Sequence, residues 1–384
     1  MLRSLSVDQL GKRSGMTDRL LLRLLAHRMG LAVSVGARKR ADDQEIYRRD
    51  TENQRIDALR IEGRKLGLNE SFVEAIVYFI IGESCKQQMI RLQKPHDPLP
   101  NPKDSEEWFQ MCRQNLLKLT EKVAGSYDQD YDTGFTASSA YRSYEEGVIN
   151  EQVAKLQHRG LAVDLGCATG QQALRLAGTF EAVVGFDISP HMIAQAEANK
   201  AAKKVANATF KVADLDHLDD REQCIPLPDC SASFVFANFG AASDLRNIQA
   251  VVGEIERVLE PRGRYLLSFY NKEALVYSWE FFPWPVGLAA EINEELDCLD
   301  VHAGDQTYLI YAKTFAPSEV RHMLSASALR GPSVRTFPTI STVLPSMLLL
   351  EGGDRAKQAI TALDHTLEDS GQGAYIIASG EKVA

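Results

Sequence analysis

Apolar positions follow two rhythms along this chain, and the change of rhythm divides it. Over residues 7–40, 49–66 and from 70 into the nineties they recur every three or four residues, the spacing of amphipathic helices. Gly67 stops the second of these helices, and Asn69 caps the third, which runs through SFVEAIVYFIIGESCKQQMIRLQ. No alternating pattern interrupts them, so this part reads as all-α. KPHDPLPNPKDS then brings four prolines into twelve residues, a linker by its turn chemistry. Another helical pattern covers 105–123. From 161 short apolar runs (LAVDLG, AVVGFDIS, ATFKVAD, SFVFANF, RYLLSFY) alternate with helical stretches such as PHMIAQAEANKAAKK, the texture of βαβ units around a parallel sheet. VRTFPTI, a helix from about 354 and GAYIIASGEK read as the closing elements of that sheet. The expected organisation is a helical domain over 1–95, a linker and connecting helix over 96–125, and a doubly wound α/β domain over 126–384. Residues 271–316 form an insertion after the fifth strand that would lid a pocket.

Two cations disturb the first helix. In RLLAHRMGLAVSVGARK, residues 23–39, Leu24, Leu25, Leu31, Ala32 and Val35 mark a stripe that reads as core, yet Arg28 and Lys39 stand eleven positions apart. At about 100° per residue, eleven steps return a side chain to nearly the same angle, so both share one face. Ser84 and Gln88, one turn apart on the third helix, share a face as well. These residue types suit a small anion held between helices.

RLLAHRMGLAVSVGARK, the charged start of the second helix and FIIGESCKQQ together resemble the all-helical chorismate mutase family, ungapped over about 6–94. The resemblance implies that Arg28 clamps a carboxylate, that Lys39 and Gln88 donate to an ether oxygen, and that Glu52 and Ser84 complete the site. The isomerisation needs no nucleophile, only a dianion held compactly with donors where charge develops. The family's helices interleave between two chains, which implies a homodimer. Two positions depart from the pattern. Gly11, beside Lys12 and Arg13, stands where the family sends an arginine into the partner's site, and Thr51 stands where a second arginine is expected, with Arg48 and Arg49 a turn earlier.

Charge sharpens the division. The net charge is −9, but residues 1–94 hold 18 lysines and arginines against 12 acids, while the remainder holds 25 against 40. An acidic α/β domain would repel phosphate and argues against a nucleic-acid substrate. No apolar run reads as membrane-spanning and the N-terminus lacks a signal-peptide core, so no membrane association is expected. Six scattered cysteines show no metal-ligand spacing and read as reduced thiols of a cytoplasmic protein.

VDLGCATGQQ places Asp164, Gly166 and Gly170 at the end of the first strand, where glycines let the backbone approach a ligand. Ala168 occupies the place where a dinucleotide fingerprint wants a glycine. Asp187 closes the second strand, Asp214 the third and Asn238 the fourth, so four polar residues line the carboxyl ends of successive strands. VDLGCATG, GFDIS, VADL and EIERVLEPRGRYLLSFYN resemble the class I S-adenosylmethionine-dependent methyltransferases from about Tyr127 onward. That resemblance implies S-adenosylmethionine as cofactor, with Asp164, Gly166 and Gly170 around its methionine part, Asp187 at its ribose, and Asp214 and Asn238 beside it. NFGAAS lacks the signature of base amino-methylation.

The fusion implies an enzyme that makes prephenate and methylates an aromatic-pathway metabolite. One alternative is a carboxy-S-adenosylmethionine synthase using prephenate, for which Arg246 or Arg264 would hold the transferred carboxylate. The other is a methyltransferase whose helical module only regulates or dimerises. Trp279, Phe281, Phe282, Trp284 and His302 in the insertion are candidates to face the acceptor.

Overall fold

The computed structural model describes residues 6–42, 44, 48–92, 105–128, 136–217, 224–279, 290–293, 295–303, 306–329, 331–344, 349 and 352–383. Three helices open the chain: α1 (Val7–Ala41), α2 (Arg49–Lys65) and α3 (Glu70–Leu92). Ser6 starts α1 with a capping box. Its hydroxyl accepts the Gln9 N–H, and the Gln9 side chain accepts the Ser6 N–H. Both α1 and α2 pack on α3, around a small core of Ile56, Val73, Val77, Tyr78, Ile81 and Cys85.

Most of the stripe on α1 is not core within one chain. Ala32 is buried, but Leu24, Leu31 and Val35 are about half exposed, and Leu20, Leu21 and Leu25 are exposed too. Contrary to the reading of the sequence, α1 is also long and apolar enough to cross a membrane by length and composition. The sequence reading missed this because Arg23 and Arg28 interrupt the run without making it polar.

The rest of the chain builds a seven-stranded sheet. Its strands are β1 (Leu161–Leu165), β2 (Ala182–Asp187), β3 (Ala208–Val212), β4 (Ala232–Ala237), β5 (Leu259–Tyr270), β9 (Ser333–Phe337) and β10 (Tyr375–Glu381), in the order β3-β2-β1-β4-β5-β10-β9. β1 to β5 are parallel, while β10 runs antiparallel to both neighbours. The sheet is therefore mixed at one edge. Strand order reverses at β1, which makes the crevice above β1 and β4 the place for a ligand. Residues such as Val163, Phe186, Phe234, Val235 and Leu266 are fully or almost fully buried, as strands covered on both faces require. The covering helices include α5 (Ala137–Ala154), α6 (Gln171–Leu176), α7 (Pro190–Lys203), α8 (Ile248–Val258), α10 (Pro317–Ser325) and α12 (Asp354–Thr366), with short turns α9 (Leu275–Ser278) and α11 (Ile340–Val343).

The insertion after β5 carries a sheet of its own, β6 (Ala290–Asn293), β7 (Cys298–Ala303) and β8 (Gln306–Tyr311), antiparallel throughout. It packs on α4 (Glu106–Val123), burying Trp108, Phe109 and Cys112 against Cys298, Leu309 and Tyr311. The connecting helix is thus part of a folded layer. Phe281, Phe282, Trp284 and the side chain of His302 lie outside the described residues.

Candidate functional sites

The glycine-rich turn is shaped by three consecutive left-handed positions at every second residue: Gly166 at φ 77°, Ala168 at 44° and Gly170 at 75°. A side chain on Gly170 would place its Cβ 2.6 Å from Phe210 Cζ, so only glycine fits there. Ala168 adopts the same hand at a cost of about 1–2 kcal/mol. Its N–H is held by Asp187 Oδ2 at 2.9 Å, while Asp187 Oδ1 takes the Ser189 N–H at 2.8 Å. Asp187 therefore ties the turn after β1 to the turn after β2.

Asp164 lies beneath this turn, 1% exposed, and neither carboxylate oxygen has a hydrogen-bond partner among the described residues. Burial, then the charges of Asp187 and Glu145, push its pKa well above the usual carboxylate range. The Ala173 N–H offsets this only from outside bonding geometry. Asp244, half-buried near Asp187 and Asp216, is raised by burial and then by those two charges, and its Oδ1 has no hydrogen-bond partner among the described residues. A buried carboxylate without a donor is costly unless a cation completes it. The residues present fit S-adenosylmethionine on this ground, since its ammonium and sulfonium are the cationic groups such a crevice lacks.

Other residues frame the crevice. Asp214 is ion-paired to Arg113 of α4 and accepts the Asp216 N–H. α4 also meets the β2 turn, where the Ser189 hydroxyl donates to Thr120 Oγ1 at 2.8 Å. Asp128 accepts from Thr169 Oγ1 at 2.6 Å, Gln171 Nε2 at 2.7 Å and Asn199 Nδ2 at 3.0 Å, fastening the chain before α5 to the glycine turn. Asn238 follows β4 and is partly exposed, its carbonyl accepting the Ala241 N–H. Glu145 of α5 is 2% exposed and accepts the Tyr141 hydroxyl and the Phe239 N–H; burial pushes its pKa up to about 7. Cys167 is buried with its thiol pushed well up by desolvation, consistent with an inert turn residue.

Of the two arginines named for carboxyl transfer, Arg264 stands apart from the crevice. Arg246 pairs with Glu106 and stacks over Phe109, and Arg264 bonds Gln152 and Glu381 near the start of β5, away from the strands' carboxyl ends.

In the helical module Arg28, Lys39 and Arg55 all act on the thiol of Cys85 together with Glu52, which places the four charges around one point. Arg55 pairs with Glu52 at 3.5 Å. Arg28 is depressed by burial first and by the Arg55 charge second. Lys39, Ser84 and Gln88 are all buried. The Ser84 hydroxyl bonds back to the Ile80 carbonyl, Gln88 Nε2 bonds the Ser84 carbonyl, and Gln88 Oε1 is buried with no hydrogen-bond partner among the described residues. On the second helix Arg55, one turn beyond the exposed Thr51, is the cation that joins this cluster among the described side chains. Gly11, Lys12 and Arg13 are exposed near the far end of α1.

The sequence reading missed Glu145, Asp128, Asp244, Arg113 and Arg55. Only Arg55 carried a local signal, its i+3 spacing from Glu52.

A seven-stranded sheet of this order, with a glycine-rich first turn and an acid closing the second strand, defines a Rossmann-like methyltransferase architecture. Family models agree: a methyltransferase domain matches residues 158–309, and chorismate mutase type II matches 12–89. The two models match separate stretches of the chain, which is consistent with a fusion of a chorismate mutase type II domain and a methyltransferase domain. Among curated proteins it is 32% identical over 109 residues to demethylmenaquinone methyltransferases of two Tropheryma whipplei strains, Twist and TW08/27. The match takes in 28% of this chain and 41% of each relative's length. Similar solved structures include a SAM dependent methyltransferase from Aquifex aeolicus (15% identity, TM-score 0.36, covering 62% of this chain and 89% of that one). Another is geranyl diphosphate C-methyltransferase from Streptomyces coelicolor A3(2) (14%, TM-score 0.40, 62% and 79%).

Proposed function

We propose that this chain is a small-molecule methyltransferase using S-adenosylmethionine, and that its helical module isomerises chorismate to prephenate. The observation that carries the first half is Asp164, buried and unpartnered beneath three left-handed turn residues. When bound, S-adenosylmethionine supplies a methyl group to the acceptor's nucleophilic atom while the carbon–sulfur electron pair stays on sulfur. Asp164 completes itself with the ammonium group, and Asp187 accepts from the ribose hydroxyls with lone pairs its two amide partners leave free. Asp214, steadied by Arg113, faces the nucleobase end. The chain's task is to orient and to exclude water; α4 does the latter by lying across the turns after β2 and β3.

In the helical module Arg28 and Arg55 hold the carboxylates of the substrate, while Lys39 and Gln88 meet the charge that grows on the ether oxygen. A second copy of the chain covers the exposed apolar residues of α1 and brings Lys12 or Arg13 toward the site, which supports a homodimer. The test is to incubate the full chain with chorismate, with and without S-adenosylmethionine, identifying products by mass spectrometry and binding by calorimetry. Prephenate without cofactor and saturable cofactor binding support the reading. Failure to bind S-adenosylmethionine or S-adenosylhomocysteine ends its first half, and unchanged chorismate ends its second.

A further inference from the structure

Four residues ahead of β1 each hold one turn of the crevice. Arg113 of α4 pairs with Asp214 after β3, and Thr120 of α4 accepts the Ser189 hydroxyl after β2. Asp128 accepts the Thr169 hydroxyl after β1, and Glu145 of α5 accepts the Phe239 N–H after β4. Taken in chain order, 113, 120, 128 and 145 meet the strands in the order β3-β2-β1-β4, which is their order in the sheet. These contacts follow the carboxyl ends of the strands one by one, past the point where strand order reverses and a ligand belongs.

Of the four, Asp128 holds the turn that covers Asp164. Thr169 stands between Ala168 at φ 44° and Gly170 at φ 75°, and is 2% exposed. It is gripped at two atoms. Its hydroxyl donates to Asp128 Oδ1 at 2.6 Å, and its carbonyl accepts Asn199 Nδ2 at 3.0 Å. The same Asn199 amide donates to Asp128 Oδ2 at 3.0 Å, where Gln171 Nε2 also donates at 2.7 Å. Asp128, Thr169 and Asn199 so close a ring of hydrogen bonds that joins the turn to α7. A left-handed residue with a side chain persists only where its surroundings over-determine it. Asp187 supplies one constraint at the Ala168 N–H. Asp128 supplies the next, one residue on, through three donors to one carboxylate, and bonds to an ionised acceptor are about twice as strong as neutral ones.

We propose that Asp128 is a positioning residue for the cofactor, acting through Thr169 to fix the turn after β1 in the shape that admits S-adenosylmethionine over Asp164. The cofactor site is thereby completed by chain that precedes the sheet. This rests on the methyl-transfer reading and adds a residue to its site. Calorimetric titration of the full chain with S-adenosylhomocysteine tests it. Asp128→Ala should weaken binding about tenfold or more, and Thr169→Val, which removes only the hydroxyl, about fivefold. Thr169→Ser keeps that hydroxyl and should stay within about twofold of the parent. Because both residues act through one contact, Asp128→Ala combined with Thr169→Val should bind within about twofold of Asp128→Ala alone. Glu151→Gln breaks a bond from the same helix α5 to Arg335 on β9, the far edge of the sheet, and should leave affinity within about twofold. Parent-like affinity in both Asp128→Ala and Thr169→Val overturns the proposal. So do losses that multiply in the double variant, equal losses in Thr169→Ser and Thr169→Val, or a loss in Glu151→Gln equal to that in Asp128→Ala. Should Asp128→Ala not fold, the two Thr169 variants decide it. A parent chain that binds no S-adenosylhomocysteine ends the methyl-transfer reading, and this inference with it.

Discussion

In the helical module Arg28, Lys39 and Arg55 gather around a single acid, Glu52; in the α/β domain Asp164, Asp187, Asp244 and Glu145 share a crevice. Both arrangements oppose burial, and both leave a polar atom unsatisfied, Gln88 Oε1 in one and the Asp164 oxygens in the other. The two clusters differ in sign, the first mainly cationic and the second acidic. Their surroundings differ as well. The α/β crevice sits on a sheet whose core is closed within the chain, whereas the helical pocket belongs to a module with much of its apolar α1 surface exposed.

That contrast can be broken most severely at Asp164. Asp164→Ala should lower S-adenosylhomocysteine affinity by about a thousandfold, the scale of a broken buried ion pair, measurable by calorimetry, while leaving chorismate turnover in place. Its ligand-free form should also melt higher than the parent at neutral pH. A carboxyl whose folded pKa is raised stabilises only when protonated, so the parent loses stability as pH rises and the variant does not. Glu145→Gln tests the same sign rule at a second buried acid. With its pKa pushed up to about 7, the parent should lose about 3 kcal/mol on this account between its unfolded pKa near 4.5 and about 7, and denaturant titrations of the variant should fall correspondingly less there.

Smaller effects probe the cationic side. Arg28→Ala or Arg55→Ala should each reduce kcat/KM for chorismate about tenfold to a hundredfold, the value of one charged hydrogen bond, without altering cofactor binding. Equal loss in Arg55→Lys would show that a forked donor is needed, not only a charge. Smallest of all, Ala168→Gly should relieve the left-handed strain and raise stability by at most about 1 kcal/mol, the gain partly offset by a freer unfolded chain.

What could be read from the sequence was local. The strand-to-turn passages around Asp164, Asp187, Asp214 and Asn238 announce themselves because each is a short apolar run ending in a polar residue. Helices α1 to α4 were equally plain from their period. The inserted sheet was not, because CLDVHA mixes charge with apolar residues and its partner faces come from α4, nearly two hundred residues earlier. Glu145 looked like any acid on a solvated helix. Its burial is set by Phe239 and Tyr141, contacts that no spacing reveals. Asp128 owes its importance to residues more than forty positions on. The stripe of α1 misled for the opposite reason: its pattern reads as core, yet within this chain most of it is exposed.

Helix α4 is fastened to its two neighbours by different kinds of force. Toward the inserted sheet it offers Trp108, Phe109 and Cys112 in dry contact, while toward the turns after β2 and β3 it offers the Arg113–Asp214 pair and the Thr120–Ser189 bond. Water can replace the second set at about 0.5–3 kcal/mol per bond, but peeling away the first exposes large rings. The helix and the inserted sheet therefore share one dry layer, and what ties that layer to the turns of the crevice is polar and open to exchange with water.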